Sequence, residues 1–512
     1  MKENMNIPDY SASYWRTHSE NRSFPALEED IHVDTAVVGG GIAGILTAYL
    51  LTLEGQKVAL LEGTSLMDGT TGFTTAKVTA QHDVMYNELI ENQSEESAAK
   101  YFLAQTEAMN KIVQLISEQQ IDCDFKKQEA ILHAGTEKGK KQLLKEKEAY
   151  DKLNIPHEFH ETSDLPFSTE AALIMQDQFH FHPVKFLNKI IERITELGGK
   201  IYENSTAVDF KGKNPVELEM RNGSKVNASN LIMTTHFPFK DSLGFYFSRL
   251  HPSRSYSIVV KTEKPVPDGM YLGFDKPSFS LRHVDIDGEK YALIGGEGHK
   301  TGKSNNTMEH YENLKRFAAE NFGAYEMAYR WSSQDLTTLD KIPYIGQAVT
   351  GRPNVYVATG FKKWGMSNGM VAAQVLTDTI LEKENEFVSL FDPRRSHLKV
   401  DDGLTLAKET LDDGTQFVKS HLKRKEEELE QLQNDEGAII QYDGKKTGAY
   451  RDEKGELHLI NPVCTHMKCG VEWNNAERSW DCPCHGSRFA VDGEVIEGPA
   501  LKPLKKIEAD KK

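Results

Sequence analysis

Residues 34–62 read DTAVVGGGIAGILTAYLLTLEGQKVALLE, and this stretch decides the fold of the N-terminal part of the chain. DTAVV predicts a short buried strand, an apolar helix follows, and QKVALLE predicts a second strand that ends at Glu62. The intervening turn has the spacing G-x-G-x-x-G, formed by Gly39, Gly41 and Gly44. This order of strand, glycine turn, helix and strand predicts a β-α-β unit that binds a dinucleotide.

Each residue of this motif has a physical role in holding a pyrophosphate. Gly39 permits the tight turn, Gly41 lets the backbone approach the phosphates, and Gly44 lets the helix pack on the strand. The helix N-terminus offers N–H groups and the positive end of its dipole, and Glu62 can accept hydrogen bonds from ribose hydroxyls. A reductase that uses NAD(P)H would need a second site of this kind, and the other glycine clusters lack the spacing. We therefore expect FAD as the resident cofactor.

Composition excludes several classes of protein. A chain of 512 residues predicts two or three domains, and a net charge of −16 disfavours nucleic-acid binding. Five cysteines do not make a secreted disulfide framework. The uncharged run at residues 36–53 follows acidic residues and is explained by the glycine motif, so neither a signal peptide nor a membrane span is expected. We expect a cytoplasmic protein with a small-molecule substrate and no nucleic-acid or membrane partner.

Further motifs follow the first one in the order typical of one family. GTTGFTTAKVTAQH occupies residues 69–82, LDKIPYIG occupies 339–346, and VYVATGFKKWGMSNG occupies 355–369. With the glycine motif, they make residues 30–395 resemble the D-amino-acid-oxidase-like FAD-dependent oxidoreductases of the glycine and sarcosine oxidase type. The resemblance implies an α/β FAD-binding Rossmann-like domain with an inserted α+β substrate domain. It also implies hydride transfer from an amine-type or amino-acid-type substrate to FAD.

The same resemblance implies individual cofactor contacts. The GTTG segment would wrap the flavin phosphates, Val208 would seat the adenine side, and a second glycine loop would line the isoalloxazine. Beyond the glycine motif and Glu62, the contacts implied are Thr70, Thr71, Val208, Gly360, Gly365 and Met366. His82 and Cys123 are conceivable points of covalent flavin attachment, with ordinary structural roles as the alternative.

Asp335 is the candidate for the substrate site. In glycine-oxidase-like enzymes an arginine before the D-x-x-P-Y-I-G segment clamps the substrate carboxylate. Counting back from Pro343 puts Asp335 at that place. An anion there would repel a carboxylate and attract an ammonium group, which predicts an amine or another cation as the substrate. The alternative is that Asp335 is turned away in a surface loop or capped by Arg330.

Four of the five cysteines lie close together near the C-terminus. They include Cys464-x-His466 and, after fifteen intervening residues, Cys482-x-x-His485. Two thiolates and two imidazoles at this spacing match a Rieske [2Fe–2S] centre, in which two histidines replace two cysteines on one iron. Zinc is the alternative, because sets of two cysteines and two histidines also bind that metal.

Residues 435–508 resemble Rieske domains, and the resemblance implies roles for the neighbours of the four ligands. Cys469 and Cys484, one in each loop, would form a loop-to-loop disulfide, and Ser487 would donate its hydroxyl to a bridging sulfide. Phe489 departs from the high-potential pattern, which has a tyrosine there whose hydroxyl donates to a ligand sulfur. Loss of that donor predicts a lower reduction potential.

These assignments predict three parts of the chain. They are an FAD-dependent oxidoreductase domain at residues 1–395, a helical, charged linker at 396–433, and a small all-β Rieske domain at 434–512. The whole resembles the Rieske iron–sulfur flavoproteins of Bacillus-type bacteria. The expected function is a dehydrogenase that passes electrons singly from FAD through the cluster to an external acceptor. The alternatives are an oxidase that uses O₂, with a structural cluster, and a non-enzymatic redox sensor.

Overall fold

A computed structural model of the chain describes residues 5–20, 22–304, 306–395 and 429–508. The α-helices of these residues are, in chain order, α1 (Tyr14–Thr17), α2 (Ile42–Leu53), α3 (Met85–Asn92), α4 (Glu95–Glu118), α5 (Glu137–Leu153), α6 (Pro183–Glu196), α7 (Met308–Phe322), α8 (Gly365–Ile380) and α9 (Val388–Phe391). None of the helices in the described ranges is both long and apolar enough to cross a bilayer.

The strands of the oxidoreductase part are β1 (Ile31–Val38), β2 (Val58–Leu61), β3 (Lys77–Val78), β4 (Lys126–Ala134), β5 (Glu158–His160), β6 (Ala171–His180), β7 (Lys200–Tyr202), β8 (Ala207–Lys211), β9 (Val216–Met220), β10 (Lys225–Met233), β11 (Leu250–Thr262), β12 (Met270–Gly273), β13 (Phe279–Ile286), β14 (Glu289–Lys300), β15 (Ala324–Thr338), β16 (Tyr344–Gln347) and β17 (Val355–Thr359). The C-terminal strands are β18 (Glu436–Tyr442), β19 (Lys445–Arg451), β20 (Leu457–Ile460), β21 (Glu472–Asn474), β22 (Ser479–Asp481), β23 (Arg488–Phe489) and β24 (Val495–Glu497).

The first large sheet confirms the predicted β-α-β unit. Its strands run in the order β16-β17-β10-β1-β2-β7, and the central pairs β17–β10, β10–β1, β1–β2 and β2–β7 are parallel. The ends of β1 and β2 are fully buried apolar runs, as expected of parallel strands covered on both faces. Helix α2 is apolar and buried along almost its whole length, because it packs on β1 and β2 and against α6 and α8.

The second large sheet is the inserted α+β part and is mainly antiparallel. Its order is β15-β11-β14-β13-β12-β4-β6-β3, with β5 paired to β6. Helix α7 packs against β11, β14 and β15, where Tyr311, Leu314 and Phe322 are buried. The two sheets together confirm an α/β FAD-binding domain with an inserted α+β domain.

The C-terminal module is all-β, as predicted. One sheet has the order β18-β19-β20 and the other β21-β22-β23-β24, and every pair is antiparallel. Its core gathers Trp480, Phe489 and all four cysteines of this region. The helical linker expected at 396–433 lies outside the described residues up to 428, and a short 3₁₀ turn follows at Leu429–Gln431.

Candidate functional site

The turn between β1 and α2 brings backbone close to a deep cavity. Gly39 has φ of +111°, and a Cβ there would lie 2.5 Å from the carbonyl oxygen of Thr234, so only glycine fits. A Cβ at Gly44 would overlap the carbonyl oxygen of Gly39, so this glycine lets α2 start directly against the strand. The N–H of Ile42 donates to the hydroxyl of Thr71 at 3.0 Å. The turn therefore has the close backbone packing that a pyrophosphate site requires.

Glu62 directly follows β2 and lines the same cavity. Its Oε2 accepts the N–H of Gly40 at 2.7 Å, and its Oε1 accepts the N–H of Thr64 at 2.9 Å. The Thr64 hydroxyl also donates to Oε1 at 3.3 Å, so these bonds fix the carboxylate and leave Oε2 a further lone pair. The position fits an acceptor for ribose hydroxyls, and that role stays a prediction.

The cavity has a volume of about 1140 Å³ and is lined by residues of both large sheets. It exceeds the range of roughly 300–1,000 Å³ typical of small-molecule pockets, so it has room for a dinucleotide and a substrate. Most of the cofactor residues expected from the sequence line it, namely Gly39, Gly41, Glu62, Thr70, Thr71, Gly360, Gly365 and Met366. Val208 and Gly44 do not: Thr206 and Ala207, the neighbours of Val208, line the cavity instead, and Gly44 packs against Gly39.

Small hydroxyl side chains of the second sheet form one wall of the cavity. Across the strands, Ser255 lies opposite Ser333, Ser257 opposite Gly295, and Gly295 opposite Ser280. All five residues line the cavity. Small side chains leave room for a flat ring system, and hydroxyls offer hydrogen bonds to a polar ligand. Sequence reasoning missed this wall because its residues come from strands that are distant in sequence.

Lys77 also lines the cavity and was not singled out from the sequence. Its Nζ donates to the carbonyl oxygen of Tyr271 at 2.6 Å. Burial lowers the pKa of this amine well below its usual value, and the nearby Arg282 charge lowers it further. An amine with a lowered pKa at a cavity wall is a candidate proton donor or acceptor. The sequence could have pointed to Lys77, because this residue lies within the GTTGFTTAKVTAQH segment at 69–82.

Asp335 lies on β15, is buried, and lines the cavity. Its Oδ2 is 3.4 Å from Nζ of Lys363. Burial raises the pKa of this carboxyl, and the charges of Lys363 and His236 act in the opposite direction. Arg330 donates to main-chain carbonyls elsewhere and does not cap the carboxylate. The alternative of a residue turned away in a surface loop is wrong, because the strand holds Asp335 inside the cavity wall.

His82 and Cys123, the conceivable flavin attachment points, do not line the cavity. His82 is buried, its ring nitrogens bond to Tyr101 and Thr79, and its ring stacks on Trp364 with centroids 4.6 Å apart. Cys123 is buried in the core, where burial raises the pKa of its thiol to about 12. Their surroundings favour structural roles for both.

The four expected cluster ligands meet at one end of the C-terminal module. Cys464 and Cys482 are buried and hydrogen-bonded to each other. The rings of His466 and His485 have centroids 5.1 Å apart and planes at 88°. The hydrogen bond between the two thiols lowers the pKa of Cys464 and raises the pKa of Cys482, because they share one proton. Their proximity places two sulfurs where one metal centre could bind both.

A disulfide joins the two ligand loops. Cys469 and Cys484 are bonded to each other, as predicted, and Sγ of Cys482 lies within 4.8 Å of both sulfurs. Ser487 is buried and accepts the N–H of Ala500 at 3.0 Å. The disulfide and this hydrogen bond tie both loops and the following segment together around the ligands.

His466 supplies a direct test of whether an iron–sulfur cluster fits. Its Nδ1 is buried and has no hydrogen-bond partner among the described residues, whereas its Nε2 donates to Oδ2 of Asp241 at 2.9 Å. A buried imidazole nitrogen left without a bond is costly unless a ligand occupies it. The partner on the other nitrogen fixes the ring, as is typical of metal-bound histidines. The residues present therefore fit a cluster held by two thiolates and two imidazoles.

The C-terminal module also forms part of the cavity wall. The lining residues that it contributes are Glu477, Arg488, Val495, Ile496, Glu497, Gly498, Pro499, Ala500 and Leu501. Sequence reasoning placed the two cofactor sites in separate domains and did not predict that one cavity would be shared by both.

Gln334 on β15 joins the two sites from the other side. Its Nε2 donates to the carbonyl oxygen of Gly486 at 3.1 Å, next to the expected ligand His485. The main-chain carbonyl oxygen of Gln334 accepts a hydrogen bond from the hydroxyl of Thr70 at 2.9 Å. One buried residue thus contacts the cluster loop and the expected flavin-phosphate loop at once.

Comparison with known proteins agrees with this geometry. Residues 34–379 match the family model of the FAD dependent oxidoreductases, and residues 424–508 match that of the Rieske [2Fe-2S] domain. The Bacillus subtilis (strain 168) protein YhfW, named as a candidate Rieske 2Fe-2S iron–sulfur protein, is 42% identical over 97% of this chain and 98% of its own length. The Rieske match overturns the zinc alternative, since the domain carries a [2Fe–2S] cluster.

Solved structures of low sequence identity share the fold of the oxidoreductase part. Glycine oxidase from Geobacillus kaustophilus is similar with a TM-score of 0.61 at 18% identity, covering 71% of this chain and 99% of that protein. L-proline dehydrogenase from P. horikoshii is similar with a TM-score of 0.58 at 17% identity. The similarity covers 72% of this chain and 98% of that protein.

Proposed function

The chain belongs to the FAD dependent oxidoreductases and carries a C-terminal Rieske [2Fe–2S] domain, and from this premise we propose that it is a dehydrogenase with internal electron transfer. It oxidises a small amine-type or amino-acid-type substrate at FAD and passes the electrons singly through the cluster to an external acceptor. FAD, when bound, supplies a two-electron acceptor, and the Rieske cluster supplies a one-electron carrier.

The residues that would hold FAD are those of the turn and the two loops that line the cavity. Gly39 and Gly41 offer the approach to the pyrophosphate, and Glu62 offers a fixed acceptor for ribose. Gly360 and Gly365 bring main chain without a side chain to the cavity at the two ends of the opposite loop. Cys464, His466, Cys482 and His485 would hold the cluster.

The observation that carries the proposal is the shared wall of the cavity. Residues 495–501 of the Rieske domain line the same cavity as the glycine turn of the FAD-binding domain. Ala500 in that segment donates its N–H to Ser487, which in turn bonds to the ligand Cys464. Two hydrogen bonds therefore lead from the cavity wall to a cluster ligand. A purely structural cluster would need no such contact with the cavity.

Asp335 supports an amine as the reacting group. The carboxylate is buried in the cavity wall, and Lys363 contacts it at 3.4 Å while remaining half-exposed itself. A substrate ammonium could replace Lys363 as the partner of this anion. The names of the structural relatives, glycine oxidase and L-proline dehydrogenase, point to substrates that carry an amine next to a carboxylate.

Anaerobic reduction by a panel of amines and amino acids tests the proposal. We expect at least one amine to bleach the flavin and to produce the EPR signal of the reduced Rieske cluster in the same sample. Flavin bleaching without the cluster signal would support the O₂-using oxidase with a structural cluster. Absence of any bleaching substrate would support the redox sensor. Reduction by glycine, sarcosine or D-alanine with all amines inert would contradict the role of Asp335.

The pH dependence of amine binding tests Asp335 separately. Because burial raises the pKa of this carboxyl, its charged form gains population as pH rises, and affinity for a permanently cationic quaternary amine should rise with it. Asp335→Asn should weaken that binding and remove the pH dependence. Binding is measured by perturbation of the flavin spectrum. Unchanged binding by the variant would exclude the ion pair.

We also propose a cytoplasmic location, with a small molecule as the electron donor and a separate acceptor for the electrons. Fractionation of cells that produce the protein tests this location. Recovery of the flavin and cluster signals in the membrane or extracellular fraction would contradict it.

A further inference from the structure

The ligand His466 lies near the protein surface beside an exposed apolar patch. Phe245 is 64% exposed and Met467 is 47% exposed, although both are large apolar residues. The ring centroid of Phe247 lies 6.0 Å from that of Phe245, 6.3 Å from that of His466 and 5.9 Å from that of His485, and Met467 follows His466 in the chain. We call Phe245, Phe247 and Met467 the cluster-edge patch. An exposed apolar patch beside a functional group is typical of an interaction site.

The chain segments around this patch are basic, although the whole protein is acidic. Residues 299–304, 464–470 and 498–504 contain Lys300, Lys303, Lys468 and Lys502, and they contain no aspartate or glutamate. The whole chain has 77 acidic and 61 basic residues. We call these four lysines the lysine rim.

Contacts hold the rim segments next to the cluster ligands. The hydroxyl of Thr465 donates to the carbonyl oxygen of Lys502. Gly302 is packed so closely against the loop of Cys482 that a Cβ there would lie 2.7 Å from the nitrogen of Pro483. Asp241, the acid of the neighbouring segment, is bonded to His466. The segments that carry the lysine rim therefore lie beside the loops of the expected ligands, where Lys468 and Lys502 are exposed.

The other ligands are less accessible than His466. Cys464, Cys482 and His485 are buried, and so are both disulfide sulfurs, whereas the His466 side chain keeps 13% exposure. A partner can therefore approach the cluster most closely over His466. An apolar centre with a charged rim is also the usual arrangement of protein interfaces.

We propose that the cluster-edge patch and the lysine rim dock an acidic, one-electron acceptor protein. The inference rests on the proposed exit of electrons through the cluster and names the kind of partner that receives them. In each encounter the cluster loses one electron and the partner gains one, so two encounters follow each two-electron oxidation of substrate. The patch is small, which suits the brief contacts of electron-transfer partners, whose interfaces bury less than about 1,200 Å².

Two forms of one acceptor separate charge from redox chemistry. Native cytochrome c is basic, and its fully succinylated form is acidic with the same haem. The full chain, reduced with dithionite that is then removed, is mixed with each form, and haem reduction is followed by stopped flow. At roughly 10 mM ionic strength, where the Debye length is about 30 Å, we expect the acidic form to react faster and to slow as salt is added. The basic form should show the opposite trend.

Variants that reverse the charge of the lysine rim, or that make the cluster-edge patch polar, test the surface itself. Lys468→Glu with Lys502→Glu should slow the acidic form by about tenfold or more, the size expected for lost electrostatic steering. Lys138→Glu with Lys141→Glu, at exposed positions of α5, makes the same charge change away from the cluster and should have little effect. Phe245→Asn and Met467→Ser should slow both forms. Asparagine suits position 245, where φ is +52°.

The outcomes decide the inference without depending on the substrate. The EPR spectrum of each reduced variant checks that the cluster and its domain are intact. Equal effects of the rim and control variants would overturn the inference, and so would a faster basic form in the unaltered protein. If the patch variants changed the sedimentation coefficient of the protein but not the rates of haem reduction, the patch would be a contact between copies of this chain instead. Because dithionite reduces the cluster, failure of substrate-driven transfer would leave this result unaffected.

Discussion

At the scale of single residues, His466 connects the two cofactor-binding parts through one hydrogen bond. Its Nε2 donates to Asp241 of the oxidoreductase part at 2.9 Å, and the side chains of both residues are 13% exposed. A carboxylate next to a ligand stabilises the more positive, oxidised cluster over the reduced one. We therefore expect the Asp241 charge to lower the reduction potential of a cluster held by His466.

Asp241→Asn should raise the midpoint potential of the cluster while keeping a hydrogen-bond acceptor in place. If removal of the charge changes the energy difference between the oxidation states by about 1–2 kcal/mol, the rise is roughly 40–90 mV for one electron. Protein-film voltammetry measures it. Asp122→Asn, at an exposed position of the oxidoreductase part, is the matched control. An equal midpoint in both variants would show that Asp241 does not act on the cluster.

Position 489 is expected to affect the same potential from inside the Rieske domain. Phe489 is buried in one core cluster with all four cysteines of the module. Phe489→Tyr should raise the potential if the new hydroxyl donates to a ligand sulfur, since such a donor favours the reduced, more negative cluster. A gain of about 1 kcal/mol corresponds to about 40 mV. An unchanged or lower midpoint would mean that the missing hydroxyl does not account for a low potential.

At the scale of elements, the start of α2 depends on the contact between two glycines. A Cβ at Gly44 would overlap the carbonyl oxygen of Gly39 and come close to the hydroxyl of Thr234. Gly44→Ala should push α2 away from β1 and lower the bound FAD per chain several-fold, even though alanine favours a helix by about 0.5–1 kcal/mol. FAD released on denaturation gives the measurement. Gly135→Ala, where a Cβ has space, is the control, and full FAD content in Gly44→Ala would contradict the packing argument.

The elements that the sequence predicted well are those encoded by contiguous residues. The β1-α2-β2 unit needs only residues 31–61, and each pair of cluster ligands lies within one short loop. Local spacing is enough to recognise such units. The contact of His466 with Asp241 spans 225 positions, and no local pattern encodes it. The shared cavity wall at 495–501 was missed for the same reason, because its place depends on how the domains pack.

At the scale of the whole molecule, buried charges hold the Rieske domain on the second sheet. Arg254 of β11 is almost fully buried, bonds to Ser332 at 2.7 Å, and lies 3.9 Å from Asp481 and 3.6 Å from Glu497. Arg488 of the Rieske domain bonds to the same two carboxylates. Removal of Arg254 would leave the buried Asp481 and the partly buried Glu497 with Arg488 as the remaining cation of this network.

Arg254→Ala should therefore destabilise the packing of the two domains by about 3 kcal/mol, the cost typical of breaking a buried ion pair. The measurement is the first transition of thermal unfolding, with the cluster absorbance recorded in parallel. Arg316→Ala, at an exposed position of α7, should leave that transition in place. A transition in Arg254→Ala that equals that of the control would show that the network adds nothing to the interface.

Intramolecular electron transfer from FAD to the cluster is the central claim for the whole molecule. Laser-flash photoreduction of the bound flavin under anaerobic conditions tests it most directly, because no substrate has to be known. We expect the flavin to reoxidise as the cluster is reduced, with matching first-order rates that do not change with protein concentration. A cluster that stays oxidised while the flavin remains reduced, or a rate that rises in proportion to protein concentration, would contradict the account.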